Sequence, residues 1–458
     1  MFRNIFNTFA NCFKIPELKS RILFTIGVLA VCQLLTFVRV PGVDGVVMAK
    51  HIAQQSAGGM MGMYNMFAGG AFDRCAVAAL SIMPYISATI ILQLLTAVWP
   101  RLSKLAREEG GRTKIVQYGR YGTVLLCLGQ GWYFANTWWH EKYDTGNLVL
   151  TNNHVWFLVQ TVIILTTGTM LLMWLGEQIT DRGIGNGVSL VITANILSRL
   201  PQAVRASINM FSSSGGNEAT HRLLGTGLLL VILLVVVVGG VIAITQAQRK
   251  IPVQYASRMI GQKMYQGGTN YMPLRVNYSG VMPIIFAQSI LMFPQPVLNA
   301  LAGMMTKMPF LQDKIRLLAS TLSHGSWLYL TVYAFMILFF SYFWVATQFN
   351  EIQIADDLKK NGGYIPGVRP GQGTSDYLHR AMSRITLAGA IFLTVIATIP
   401  IMLQNELDIP PDVSQFFGGT SILISVGVML DTMRQVESHL MMRHYDGFLK
   451  KGRVRGRF

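Results

Sequence analysis

Long apolar runs recur along the whole chain and are separated by polar stretches. A membrane-spanning helix needs roughly 20 mostly apolar residues, and ten runs approach that length. They lie at 22–38, 75–99, 121–139, 155–176, 184–200, 223–244, 279–303, 327–349, 385–403 and 416–430. The second run contains Pro84, and the seventh contains Pro283, Pro294 and Pro296. The pattern predicts an all-α polytopic membrane protein with ten transmembrane helices, two of them interrupted.

Composition supports this prediction. Hydrophobic residues make up 52% of the 458 residues, and charged residues only 13%, against roughly 25% in a soluble protein. Four cysteines cannot form the disulfide framework of a small secreted domain. The chain also lacks Ser-, Gly- or Pro-rich low-complexity tracts, so extended disorder is excluded.

The formal net charge of +17 is unevenly distributed. Ten spans put both termini on the same side, and that side carries 28 of the 38 lysines and arginines. The positive-inside rule therefore predicts cytoplasmic termini. Topology alone explains such an excess, but a docking surface for an acidic or nucleic-acid partner would also produce it. Both interpretations stay open, because they are compatible.

Chemistry-bearing motifs are missing from the apolar runs. Intramembrane charges mark proton relays and ion sites, and the middles of the ten runs have none. No zinc-protease, nucleophile-elbow or P-loop motif is present. The glycine-rich stretch 182–187 follows a membrane helix rather than a strand, so it predicts a tight turn rather than a phosphate loop. The sequence argues against an enzyme, a metal site, a cofactor and an ion-coupled pump.

The segment 58–70, GGMMGMYNMFAGG, is too short to span and too apolar for an exposed loop. Glycines at both ends indicate hinges, and methionine adapts to irregular apolar surroundings. A short helix folded back into the membrane fits this composition, which implies that the bundle has an interior to fill. An interfacial helix lying on the outer surface is the alternative.

Isoleucines four residues apart share one helix face in the second run, at Ile82 and Ile86. Similar apolar positions occur in the fifth, seventh and tenth runs. Such stripes usually face lipid or pack against neighbours. If several met at one constriction, they would exclude water and ions by dewetting. The amides Gln93 and Asn277 form either a static interhelical hydrogen bond or a weak, separable one.

Two predicted cytoplasmic loops are long and basic. One begins with Arg249 and Lys250, and the other contains PGVRPG at 366–371. Prolines and glycines fix a turned backbone there, so Arg369 should be presented at a defined place. The basic tail 450–458 would contact anionic lipid.

Six motifs together carry a resemblance to a known family. They are MFAGG at 66–70, IMPYISATI at 82–90, GEQITDRGIGNG at 176–187, VNYSGVMP at 276–283, PGVRPG at 366–371 and FGGTS at 417–421. In this order and spacing, the chain closely resembles the SecY family, the channel subunits of the bacterial protein translocon. The resemblance covers essentially the whole chain.

The resemblance implies two inverted five-helix halves, 1–206 and 207–458, around a central pore, with basic loops at about 246–276 and 350–384. It implies a plug segment at about 58–72, including Met60, Met61, Met63, Tyr64, Asn65, Met66 and Phe67. It implies a pore ring of Ile82, Ile86, Val188, Ile192, Ile285 and Ile424. Gln93 and Asn277 fall in the implied lateral gate, and Arg249, Lys250 and Arg369 in the implied docking sites for the motor and the ribosome.

The implied function is a protein-conducting channel in the bacterial plasma membrane, with both termini cytoplasmic. It would pass unfolded secretory polypeptides and release transmembrane segments into lipid. The implied partners are the small subunits SecE and SecG, the ATPase SecA, the ribosome, polypeptides with signal sequences and membrane lipids. Two other classes stay open from the residues alone. A small-solute transporter also uses inverted repeats and broken helices, but the missing midplane charges argue against it. A scaffold without a pore is disfavoured by the plug-like segment.

Overall fold

The computed structural model describes residues 15–45, 47–48, 60–108, 110–140, 148–212, 217–255, 258–260, 263–265, 268–292, 294–305, 309–322, 326–407, 413, 416 and 420–451. Most of these residues are helical, as predicted. The basic tail beyond Lys451 and the first two glycines of the plug segment lie outside the described residues.

The first half of the chain contains eight of the described helices. They are α1 (Pro16–Leu35), α2 (Met60–Phe67), α3 (Met83–Val98), α4 (Pro100–Arg107), α5 (Gly111–His140), α6 (His154–Arg182), α7 (Gly187–Ser198) and α8 (Leu200–Ser212).

The second half contains eight further described helices and five strands. The helices are α9 (Asn217–Gln246), α10 (Met282–Leu291), α11 (Pro294–Met304), α12 (Pro309–Thr321), α13 (Trp327–Gln348), α14 (Glu351–Lys360), α15 (Gln372–Leu407) and α16 (Thr420–Lys451). The strands are β1 (Gln248–Tyr255), β2 (Arg258–Ile260), β3 (Lys263–Tyr265), β4 (Thr269–Arg275) and β5 (Gly363–Tyr364).

Local sequence signals explain where several helices begin. Asn153, Asn186 and Ser326 each accept a hydrogen bond from the backbone N–H three residues on, which caps α6, α7 and α13. Proline lies at the first or second position of α1, α3, α4 and α10. The N–H groups of a helix's first turn have no partner within the helix, so a proline there costs no hydrogen bond.

Five of the described helical stretches are long and apolar enough to cross a membrane, and the bent pair α3 and α4 makes a sixth if it counts as one span. The axis turns by 105° between α3 and α4. Trp99, between them, has an extended backbone because it precedes Pro100. The predicted second span, 75–99, begins earlier than the helix in the structure. Turns occupy 68–82, and the helix begins only at Met83.

Prolines also divide the predicted seventh span. It consists of the 10-residue α10 and the 11-residue α11, which begins at Pro294. The predicted fifth span contains the 12-residue α7. The predicted tenth span is the start of the longer helix α16, which continues for 32 residues.

The chain forms two compact units. The first comprises 1–215, 410–413 and 424–458, and the second comprises 216–409 and 414–423. The predicted division at residue 206 falls within α8. In the first unit α5 packs against both α3 and α6, and α7 packs against α1 and α6. In the second unit α13 packs against α10 and α15.

The two basic loops of the second unit are more ordered than the sequence predicts, because they share a small antiparallel sheet. Strand β1 pairs with β4 on one side and with β5 on the other. Ile251 and Val253 of β1 are buried in a core that includes Leu274, Ile365 and Leu378. The burial alternates along β1 because successive side chains point to opposite faces of a strand.

Candidate functional site

The plug segment is a short helix followed by a series of turns, all within the first unit. The backbone of α2 includes Met60, Met61 and Met63, whose side chains lie outside the described part of the chain. Tyr64, Asn65, Met66 and Phe67 are all buried. The turns need special backbone conformations, since φ is +65° at Gly69 and +80° at Gly70.

Aromatic contacts hold the plug segment against the first unit. The ring of Tyr64 packs against Phe72 and Phe134, with centroids 5.7 and 5.4 Å apart. Phe72 in turn packs against Phe134 and Trp138 of α5. The Tyr64 hydroxyl donates a hydrogen bond of 2.9 Å to the Leu80 carbonyl. The described helix is therefore enclosed by protein rather than lying on an outer surface, because its four last side chains are all buried.

Close backbone contacts also hold the turns after α2. The Val77 carbonyl packs directly against Gly168 of α6. A Cβ atom added to Gly168 would lie only 2.2 Å from the Val77 carbonyl oxygen, so a side chain there would clash. The N–H of Val40 donates to the Cys75 carbonyl, and the N–H of Val77 donates to the Val38 carbonyl. The turns that follow the plug segment are thus held by α6 and by the chain leaving α1.

Four of the predicted pore-ring residues lie on α3 and α7 or at their ends, in the first unit. Ile82, Ile86 and Ile192 are buried, and Val188 is half-buried. Ile82 and Val188 both pack against Gly176 of α6. A Cβ atom added to Gly176 would lie 3.6 Å from a side-chain atom of each of them. The structure therefore brings together ring residues from two helices that are far apart in the sequence.

The other two predicted ring residues are also buried. Ile424 lies near the start of α16, and Ile285 lies on α10 in the second unit. Its sequence neighbours on α10, Ile284 and Phe286, are buried too. The complete ring stays a prediction.

The two predicted gate amides lie in different surroundings. Gln93 of α3 is half-buried. Asn277 is buried and makes its hydrogen bonds within its own turn, donating to the Gly280 carbonyl at 3.1 Å and accepting from the Ser279 hydroxyl at 3.1 Å. The hydrogen bonds of Asn277 are therefore local, and the pairing of the two amides stays a prediction.

The predicted docking residues lie on one small sheet or in the loop that follows it. Arg249 and Lys250 are exposed on β1, and Tyr364 of β5 pairs with Gln254 of the same strand. Arg369 is exposed five residues beyond β5. Its carbonyl accepts a hydrogen bond of 3.0 Å from the Thr374 hydroxyl, and Gly367 and Gly371 on either side have positive φ. The sequence did not reveal that both basic loops share this framework.

Charged groups cluster around the turns that follow α2. Asp73 forms an ion pair with Arg199 at 2.5 Å, and Arg74 lies 4.2 Å from the centroid of the Phe37 ring. Burial lowers the pKa of the Arg74 guanidinium, with a further lowering from Arg199. Sequence reasoning missed this cluster and the polar contacts of Asn195 described below. Within the described ranges, no three His, Cys, Asp or Glu side chains are grouped so that they could hold a metal ion.

Solved structures confirm the fold. A protein-conducting channel aligns over 91% of this chain and 91% of its own, with 15% identity and a TM-score of 0.58. A SecY structure that concerns the plug domain gives 16% identity, 91% coverage of both chains and a TM-score of 0.55. Sec61 from a canine ribosome-channel complex gives 15%, 91% of both chains and 0.54. The chain is therefore a multi-pass helical membrane protein with the protein-conducting channel fold.

Sequence comparison identifies the family. The SecY family model matches residues 76–433. The protein translocase subunit SecY of Chlamydia muridarum is 40% identical, with 98% of this chain and 99% of that protein covered. The same subunit of Vibrio cholerae is 42% identical, with 96% of each covered. The chain belongs to the SecY family, and the predicted channel class, rather than an enzyme, is confirmed.

Proposed function

We propose that this chain is the channel subunit of a protein translocase. It passes unfolded secretory polypeptides across the membrane and releases transmembrane segments sideways into lipid. The observation that carries this proposal is the burial of the last four side chains of α2, a short apolar helix that is too short to span a membrane. Non-helical and short helical backbone is tolerated at membrane depth only inside protein or beside a cavity.

The ring residues provide the seal in this proposal. Ile82, Ile86, Val188, Ile192, Ile285 and Ile424 are all apolar, so a constriction that they line excludes water and ions by dewetting. An apolar ring makes no specific hydrogen bond with a passing chain. Passage is therefore tolerant of sequence, and the plug segment closes the path when no substrate is present.

A signal sequence opens the channel by partitioning into lipid between α3, which carries Gln93, and α10, which follows the turn of Asn277. Each large apolar residue at the centre of a membrane helix contributes roughly 0.3 to 0.6 kcal/mol. A run of about ten such residues therefore supplies several kcal/mol, which exceeds the roughly 0.6 kcal/mol of an average interhelical polar contact. The signal sequence thus has enough free energy to separate a weakly held gate.

The energy for translocation comes from partners that dock on the cytoplasmic sheet. Arg249, Lys250 and Arg369 are presented there by β1 and by the loop after β5. The partners are the ATPase SecA and the ribosome, and the small subunits SecE and SecG complete the membrane complex. The chain resides in the bacterial plasma membrane with both termini in the cytoplasm. The uneven distribution of its basic residues supports this orientation.

Reconstitution tests the proposed function. The full chain and its small membrane subunits are placed in lipid vesicles with the motor ATPase, ATP and a secretory precursor. We expect an unfolded precursor to become protected from added protease, and the same precursor locked by an internal disulfide to stay accessible. Equal protection in vesicles without the chain would contradict the proposal.

A further inference from the structure

The last turn of α2 has a complete set of hydrogen bonds, and one of them depends on side chains from elsewhere. The final carbonyls of a helix have no partner within it. The carbonyls of Tyr64, Asn65 and Met66 accept from the N–H groups of Ala68, Gly70 and Gly69 in the following turn. The Phe67 carbonyl instead accepts from side chains.

Two side chains donate to the Phe67 carbonyl. The Ser81 hydroxyl and the Nδ2 atom of Asn195 each lie 2.9 Å from its oxygen. A carbonyl oxygen has two lone pairs, so both are used. All three groups are buried, with Asn195 only 2% exposed. Moving α2 away would therefore break two buried hydrogen bonds at once.

Asn195 also connects the plug segment to α1. Its Oδ1 atom accepts a hydrogen bond of 2.9 Å from Nε2 of Gln33. The two ends of this amide thus contact two different elements, α1 through the oxygen and α2 through the nitrogen. Gly69 also packs against Asn195. A Cβ atom added to Gly69 would lie 3.2 Å from the Asn195 Cα atom.

An ion pair supplements these contacts beyond the end of α7. Arg199 Nη2 lies 2.5 Å from Asp73 Oδ2, and both side chains are less than one-fifth exposed. The N–H of Asp73 in turn donates to the Asn65 side chain at 3.2 Å. The ion pair therefore joins the residues after α7 to the plug segment through Asp73.

The position of Asn195 on α7 relates these contacts to the predicted ring. Val188, Ile192 and Asn195 are spaced four and three residues apart, so they share one face of the helix. A polypeptide that displaces the two ring residues would also shift Asn195, about one turn further along the same rigid element.

We propose that Gln33, Ser81 and Asn195 form a polar clasp that sets the closed-state population of the channel, with Asn195 as its positioning residue. This proposal rests on the proposed function, in which α2 acts as the plug. Displacement of α7 by a substrate opens the clasp at the Phe67 carbonyl, so gating and plug release are coupled through one helix.

The decisive variant is Asn195→Asp in the full translocon. It keeps the shape of the side chain and an oxygen that can accept from Gln33, but it replaces the donor that faces the Phe67 carbonyl with a second oxygen. Thr193→Val is the matched control, since the buried Thr193 hydroxyl donates to the Ser189 backbone carbonyl within α7 itself. The readouts are ion leak without substrate and maleimide labelling of Met66→Cys, which replaces a buried side chain of α2.

We expect Asn195→Asp to raise both ion leak and labelling about tenfold, which corresponds to about 1.4 kcal/mol, and Thr193→Val to leave both near the parent values. Equal values for the two variants would overturn the proposal. The ion pair between Asp73 and Arg199 offers a second test, which remains usable if Asn195→Asp folds poorly. Asp73→Arg and Arg199→Asp should each increase the leak, and the double exchange should restore it, whereas no restoration would count against a clasp function for this region.

These outcomes are distinguishable from failure of the proposed function. The leak is measured without a precursor, so parent-like leak in Asn195→Asp overturns the clasp while transport continues. Failure of the parent complex to protect any precursor contradicts the channel function itself.

Discussion

Tyr64 offers a graded test of how firmly the plug segment is held. Its hydroxyl donates to the Leu80 carbonyl at 2.9 Å, and its ring contacts Phe72 and Phe134. Tyr64→Phe removes only the hydrogen bond and should destabilise the closed state by about 1 kcal/mol. Tyr64→Ala also removes the aromatic contacts and leaves a cavity, so by analogy with buried aromatic truncations it should cost about 3 to 5 kcal/mol.

These free energies translate into distinct leak currents. Because 1.4 kcal/mol corresponds to a tenfold change in an equilibrium, Tyr64→Phe should raise the open fraction roughly fivefold, and Tyr64→Ala more than about a hundredfold until it saturates. The assay is ion conductance of the reconstituted complex in a planar bilayer without substrate.

Tyr342→Phe provides the matched control for the Tyr64 series. Tyr342 is exposed, and its hydroxyl donates to the Ser383 carbonyl at 3.3 Å, between α13 and α15 of the second unit. It should leave the conductance unchanged. If Tyr64→Ala conducts no more than Tyr342→Phe, the contacts of Tyr64 do not hold the plug, and the reasoning is refuted.

Two further predictions concern the small sheet of the second unit and the loop after it. Arg369→Glu should reduce motor-driven export at least about tenfold by introducing like-charge repulsion at the docking site, while membrane insertion stays near normal. The control Arg380→Glu changes another exposed arginine and should leave export near normal. Equal loss of export and insertion in Arg369→Glu would argue against docking at Arg369. Ile251→Ala should destabilise the hairpin by about 2 to 5 kcal/mol, because Ile251 is 1% exposed in its core. Limited proteolysis of the membrane-embedded chain should then cleave between 246 and 276 faster than in the exposed control Gln248→Ala, and unchanged cleavage would contradict the assigned core.

The sequence revealed the helical class because long apolar runs and few charges admit few alternatives. It was less informative about where helices end. Trp99 and Pro100 impose a 105° bend, and the turns at 68–82 include a positive φ at Cys75 and Ser81. Neither residue type predicts such a conformation, so the sequence predicted an interruption of the second span only at Pro84.

The small sheet shows a signal that was present but weak. Ile251 and Val253 alternate with exposed residues along β1, which is the pattern of a half-buried strand. Only the pairing with β4 and β5 gives those two side chains a core to enter. The basic residues between and around them favoured interpretation as a solvated loop.

The polar clasp could not have been predicted from the sequence. Gln33 and Asn195 are 162 residues apart, and each lies within an apolar run. The acceptor of the Asn195 and Ser81 donors is the Phe67 backbone carbonyl, which leaves no trace in residue identity. By contrast, the plug segment was recognisable because its composition suits neither a span nor an exposed loop.

Crosslinking to a stalled substrate tests the central claim most directly. A secretory polypeptide halted during translocation through the full complex should react with single cysteines at Ile86 and Ile285. It should not react with a cysteine at Ile163, which is 58% exposed on α6. Adducts at both ring positions and none at Ile163 are the predicted result, whereas adducts at Ile163 without any at the ring positions would contradict a polypeptide path lined by these isoleucines.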